Sequence, residues 1–119
     1  MAQKRNIIGS GVPAGAAEFI VGKCNSALTA TGTSATDALP LVDVNEFTTV
    51  ASSTGAILPA GASPGDTVTL YNIGAQTLTV YPPTGETINN AASSYTVATT
   101  KVGLFTKVSN TRWAAGVLA

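Results

Sequence analysis

The chain has 119 residues with six basic and six acidic side chains, a formal net charge of zero, and no histidine. That length supports one domain with a modest core, and the charge balance excludes the global basic field that nucleic acid or an anionic membrane would require. Charged residues make up only 10% of the chain, against roughly 25% in ordinary globular proteins. Interspersed charge normally keeps protein surfaces soluble and apart, so much of this surface is expected to be covered by other subunits.

Residues 1–17 combine a basic tip, Lys4-Arg5, with Gly, Ala and Pro, and show no sustained period of 2 or 3.6. They read as an extended arm preceding a single β domain over 18–119. A signal peptide is not expected there. Asn6, Gly9, Ser10, Gly11 and Pro13 interrupt the continuous apolar stretch that export requires. Gly9-Ser10-Gly11 follows no strand and precedes Pro13 instead of a helix, so it is flexible chain and not a phosphate loop. Within the arm, Ile7 and Ile8 form an apolar pair beside the charge.

From Glu18 the signals are almost all β. "EFIVGKC" is a short apolar run, "NSALTATGTSATDALPL" is Thr/Ser/Ala-rich up to the break at Pro40, and "NEFTTVAS" alternates from Asn45 to Ser52. "GAILPAGASPGD" carries Ile57 and Leu58 into a Pro/Gly-rich turn. Strands recurring every 8 to 12 residues between turn clusters predict a compact antiparallel β-sandwich or small barrel. Helix is disfavoured because Gly and Pro punctuate every window and the β-branched Thr and Val dominate. No stretch reaches the roughly 18 apolar residues of a spanning helix.

The segment "DTVTLYNIGAQTLTVYPPTG" nearly repeats itself: Thr67–Asn72 and Thr77–Pro82 each alternate hydroxyl and aliphatic residues and include a tyrosine. Read as a hairpin with the loop Asn72-Ile73-Gly74, Gly74 supplies the positive φ of a type I turn with a bulge. That register opposes Val68 to Leu78 and Thr69 to Thr77. Aliphatics then point inward, and Thr67, Thr69, Tyr71, Thr77, Thr79 and Tyr81 share one outer face. "VGLFTKV" and "TRWAAGV" form a second hairpin around Ser109-Asn110, with Thr106 opposite Trp113. Trp113, on the face of Leu104 and Val102, is expected to anchor the core.

Chemistry is thinly supplied. Without histidine, base catalysis would fall to carboxylates, Lys or Tyr. The six acids are Glu18, Asp37, Asp43, Glu46, Asp66 and Glu86. Asp43 and Glu46 have opposite parity in an extended segment and diverge. A glycosidase pair would have to come from distant loops. Cys24 is the one cysteine, which excludes an intrachain disulfide and a cysteine-based zinc site; it is expected to be a small buried or half-buried thiol. No calcium loop of the D-x-[DN]-x-[DN]-G type occurs, and no cofactor or catalytic residue is assigned.

The segments "STGAILPAGASPGDTVTLYNIGAQTLTVYPPTGETINN" and "TTKVGLFTKVSNTRWAAG" resemble small virion structural proteins of tailed bacteriophages. Such proteins pair an "ILP" strand and a "V-x-N-x-G-x-x-x-L-x-V-Y-P" hairpin with an "IN" loop and a final Trp strand. The resemblance covers roughly residues 45 to 115 and implies a non-enzymatic, β-rich module. It would assemble, as a homotrimer, on the capsid exterior as a decoration or cement protein. The implied partner is the major capsid protein, with no nucleic acid, membrane or small-molecule substrate, and synthesis in the host cytoplasm. Lys4, Arg5, Ile7 and Ile8 of the arm, with Tyr71 and Tyr81, are the residues expected to contact the capsid or a neighbouring protomer. Two other classes stand beside this one. A tail-fibre or receptor/glycan-binding module would need Tyr81, Tyr95 and Trp113 to converge on one surface; a small hydrolase would need two carboxylates facing a cleft.

Overall fold

The computed structural model describes residues 23–91 and 93–118. The described chain is all-β and carries no helix. Ten strands follow in order: β1 (Cys24–Thr29), β2 (Leu39–Pro40), β3 (Val44–Thr49), β4 (Gly55–Ile57), β5 (Thr67–Asn72), β6 (Leu78–Tyr81), β7 (Thr87–Ile88), β8 (Tyr95–Val97), β9 (Lys101–Ser109) and β10 (Arg112–Leu118). They form a six-stranded sheet, ordered β1-β3-β5-β9-β10-β7, and a four-stranded sheet, ordered β2-β4-β6-β8. The N-terminal arm assigned to residues 1–17 lies outside the described residues.

The chain passes from the larger sheet to the smaller one and back, and each return lands parallel to the strand before. β1 pairs with β3 and β3 with β5, all parallel. β2 pairs with β4 and β4 with β6 in the same sense. Three turns of a solenoid-like winding result, in place of the expected antiparallel sandwich or barrel. Antiparallel strands close the last turn: β9 against β5, β8 against β6, and β10 against β9.

The near-repeat is therefore not a hairpin. Its first copy is β5 and its second is β6, in different sheets. The alternation itself holds: Val68, Leu70, Leu78 and Val80 are all buried in one core cluster with Phe47, Leu58, Val97, Phe105 and Trp113. Each such aliphatic contributes about 1.5–3 kcal/mol by leaving water, and this inward set is what both sheets share.

Asn72 decides the crossing. Its side chain is fully buried; Nδ2 donates to the carbonyls of Gln76 (2.9 Å) and Val97 (2.9 Å), and Oδ1 accepts from Gly74 N–H (3.0 Å). Those bonds hold the backbone in an arch between sheets where a hairpin turn would return along the same one. Gly74 is required for close approach and not for a positive φ: a Cβ there would stand 2.7 Å from Val50 N in the arch of the turn below. Real Cβ atoms do not tolerate that distance.

The second hairpin forms, with its register displaced. Ser109 pairs with Arg112, and a bulge then sets Trp113 opposite Lys107 and Ala115 opposite Phe105. The extra residue flips the faces. Gly103, Phe105 and Lys107 point inward with Trp113, while Leu104 is exposed on the other face. Trp113 is a core anchor as expected, but not on the face of Leu104 and Val102.

Candidate functional site

Each described acid is committed to local structure. Asp43 Oδ2 accepts from Lys23 N–H at 2.9 Å, Glu46 Oε1 from Ala27 N–H at 3.3 Å, and Asp66 Oδ2 from Ser63 N–H at 2.9 Å. Asp37 Oδ1 accepts from the N–H groups of Thr33 (3.2 Å) and Ser34 (3.0 Å) and from the Ser34 hydroxyl (3.1 Å). The Ser34 backbone, and after it the Ser34 hydroxyl, hold the Asp37 carboxyl below its ordinary value of 3.8, because hydrogen bonds to the ionised form favour it. Among the described residues no three His, Cys, Asp or Glu side chains cluster closely enough to hold a metal ion. Glu18 lies outside the described residues.

Glu86 is the exception in kind. Its Oε1 accepts from the Trp113 indole N–H at 2.7 Å and pairs with Lys107 Nζ at 3.1 Å. Lys107 is 3% exposed and its ammonium lies 5.6 Å from the Trp113 ring centroid. The backbone of Lys107 is also fixed, donating to Asp66 O and accepting from Gly65 N. Glu86, Lys107 and Trp113 thus tie the loop after β6 to β9 and β10. Their value is positional, since a buried ion pair gains little net energy after desolvation. The sequence hid this triad because both alternate sets of β9, Gly103-Phe105-Lys107 and Val102-Leu104-Thr106, contain apolar residues.

The aromatic residues do not converge on one surface. Trp113 is 1% exposed. Tyr95 packs edge-on against Phe105 at 5.8 Å and 86°. Tyr81 lies over Gly55, with its ring 2.7 Å from where a Cβ would stand, and its hydroxyl donates to Thr33 O at 3.1 Å.

Of the sequence-predicted contact residues, Lys4, Arg5, Ile7 and Ile8 lie outside the described residues. Tyr71 and Tyr81 are not neighbours: Tyr71 stands on the outer face of the six-stranded sheet and Tyr81 on that of the four-stranded sheet. The single hydroxyl-aromatic face expected from Thr67 to Tyr81 is thereby split in two, because the chain changes sheets at Asn72. Cys24 is exposed, correcting the buried thiol.

Among the described residues, the outer face of the six-stranded sheet collects exposed apolar side chains. Pairing across β3, β5, β9 and β10 aligns Glu46, Tyr71, Val102 and Leu118 in one row, and Val44, Thr69, Leu104 and Gly116 in the next. Thr67, Thr106 and Ala114 make a third. Tyr71 and Leu104 are each 40% exposed, Val108 54% and Leu118 55%. The one ionisable side chain of these rows other than Tyr71 is Glu46, whose carboxylate is turned to Ala27 N–H. Sequence reasoning found Tyr71 and missed Leu104, Leu118 and Gly116, because the bulge that turns them outward leaves no local signature. The edge of β10 is closed off beside Ala115. Asn89, at φ 51°, donates from Nδ2 to Ala115 O (3.1 Å) and accepts Ala115 N–H at Oδ1 (2.9 Å), so a side chain occupies the place of a further strand.

No protein-family model matches this chain, and a search of curated proteins returns no match.

Proposed function

We propose that the protein is a non-catalytic structural component of a bacteriophage virion, a capsid decoration or cement protein that binds the outside of the head and stabilises it. The observation that carries this reading is the outer face of the six-stranded sheet: broad, nearly free of charge and rich in exposed apolar side chains, it suits contact with other proteins. The resemblance of Ser53–Asn90 and Thr99–Gly116 to phage virion proteins supports the same reading. Acting as a homotrimer, the chain would present several weak contacts to the major capsid protein at once, and each becomes intramolecular after the first has formed. Lys4, Arg5, Ile7 and Ile8 are assigned to that contact, with the folded body as the rigid clamp.

The alternative of a tail-fibre or glycan-binding module loses its expected platform, since Trp113 is buried and Tyr95 faces Phe105. The test is binding of purified full-length chain to heads of the encoding phage that lack it, read by co-sedimentation and by resistance of the heads to heating. Binding with raised head stability is expected. Failure to bind, together with a hit on a glycan array, would replace the capsid reading with the receptor-binding one. Deleting residues 1–16 should abolish head binding while sparing the fold, and unchanged binding would remove the arm from the contact.

A further inference from the structure

We infer that the outer face of the six-stranded sheet is buried against a second copy of this same chain, with Leu104 of one copy seated over Gly116 of the other. The inference concerns a two-fold pairing of copies, distinct from the trimer contact of the reading above, and it does not require that the chain bind a capsid.

Three observations carry it. The first is charge. The three rows carry one ionised side chain, Glu46, whose carboxylate accepts from Ala27 N–H, and Arg112 stands at their margin beside Ser109. A face with so few charges meets its own copy with little of the like-charge repulsion that a densely charged surface would suffer.

The second is shape. Leu104 and Gly116 stand directly opposite each other on β9 and β10. Leu104 rises from the sheet as an exposed knob, while a Cβ built at Gly116 meets nothing within 4 Å. Knob and notch lie side by side on one flat face, so a second copy carries the complement of both. Gly116 does not serve the fold: its φ lies outside the left-handed region and its position is open.

The third is area. The five longer strands β1, β3, β5, β9 and β10, at about 4.8 Å spacing and about 20 Å of strand length, outline roughly 500 Å². Thr67, Thr69, Thr106 and Glu46 take up part of that area, and the apolar side chains the rest. Two such faces bury about 1,000 Å² in total, the lower bound of specific interfaces. Association through this face is therefore concentration-dependent, on the order of micromolar or weaker.

The experiment is sedimentation velocity of the full-length chain over a dilution series through the micromolar range, beside Leu104→Glu and Gly116→Val. Trp113 emission and the melting temperature report the fold. The wild-type mass should rise with concentration to a dimer, the closed assembly that one self-complementary face allows. Both variants should keep the fold and lose about tenfold or more in association. Gly116→Val is the more demanding variant: it adds apolar surface without charge, so weakened association can come only from filling the notch. A wild-type chain that stays monomeric throughout, or association by either folded variant as strong as wild type, overturns the inference. Self-association by a chain that does not bind heads would sustain this contact while removing the capsid reading.

Discussion

The hexapeptides Thr67–Asn72 and Thr77–Pro82 carry the same alternation and fill the same core, yet their outward tyrosines are treated in opposite ways. Tyr81 lies against Gly55 and donates its hydroxyl to Thr33 O. Tyr71 stands 40% exposed in a row with Val102 and Leu118. Inward side chains are set by the period of the strand, and any two strands with that period are interchangeable there. Outward side chains are set by what lies over the sheet. Over the four-stranded sheet the chain itself supplies a cover, in the loop that carries Thr33; over the six-stranded sheet the described chain supplies none at Tyr71. The first face belongs to the fold, and the second is left uncovered at Tyr71 by the described residues.

The largest effect should come from the bridge that ties the two regions together. Replacing Glu86 with Ala strands the Lys107 ammonium, 3% exposed, without its counter-ion, at a cost of about 3–5 kcal/mol. Urea denaturation followed by Trp113 fluorescence reads that loss, and the emission of the native state should shift as the indole N–H loses its acceptor.

The inner halves of the two hexapeptides should then prove equivalent. Leu70→Ala and Leu78→Ala each remove a fully buried side chain and should each cost about 2–5 kcal/mol. A clear inequality between them in chemical denaturation would show that one sheet, and not both, holds the core.

This equivalence is also where the sequence was most legible. Period-2 alternation is local, so the all-β class, the inward aliphatics and the buried Trp113 could be read from neighbours in the chain. Which strands pair could not. The step from Cys24 to Val44 is 20 residues and that from Val44 to Thr69 is 25, while Leu39 to Ala56 is 17. Parallel turns of unequal length leave no repeat to find. The arch at Asn72 resembles a hairpin loop until its amide is seen to bond Gln76 O and Val97 O, the latter contributed 25 residues away. The extra residue Val108, unpaired between Ser109 and Lys107, likewise exposes Leu104 and buries Lys107 through a bulge that composition does not announce.

The outer halves should differ by less energy but in a more telling way. Tyr81→Phe removes one hydrogen bond, the one to Thr33 O, and should cost about 0.5–1.5 kcal/mol. Tyr71→Phe removes none among the described contacts and should stay within about 0.5 kcal/mol. Equal losses in thermal denaturation would erase the distinction between the faces.

The smallest effect concerns the cover itself. The loop over Tyr81 is shaped by Asp37, whose carboxyl is held below 3.8 by the Ser34 backbone and hydroxyl. A depressed folded-state value means that this contribution is present above the unfolded value and is lost as pH falls through the folded one. Stability should therefore fall more steeply below about pH 4 in the wild type than in Asp37→Asn, as checked by melting curves across acid pH.

The distinction between the two faces is tested most directly by nitrating tyrosines with tetranitromethane and locating the product by mass spectrometry at low and high protein concentration. Tyr71 should react readily in dilute solution and become protected as concentration rises, while Tyr81 should react to the same extent at both. Equal behaviour of the two tyrosines, or a Tyr71 that stays reactive at every concentration, would contradict the assignment of one face to the fold and the other to a partner.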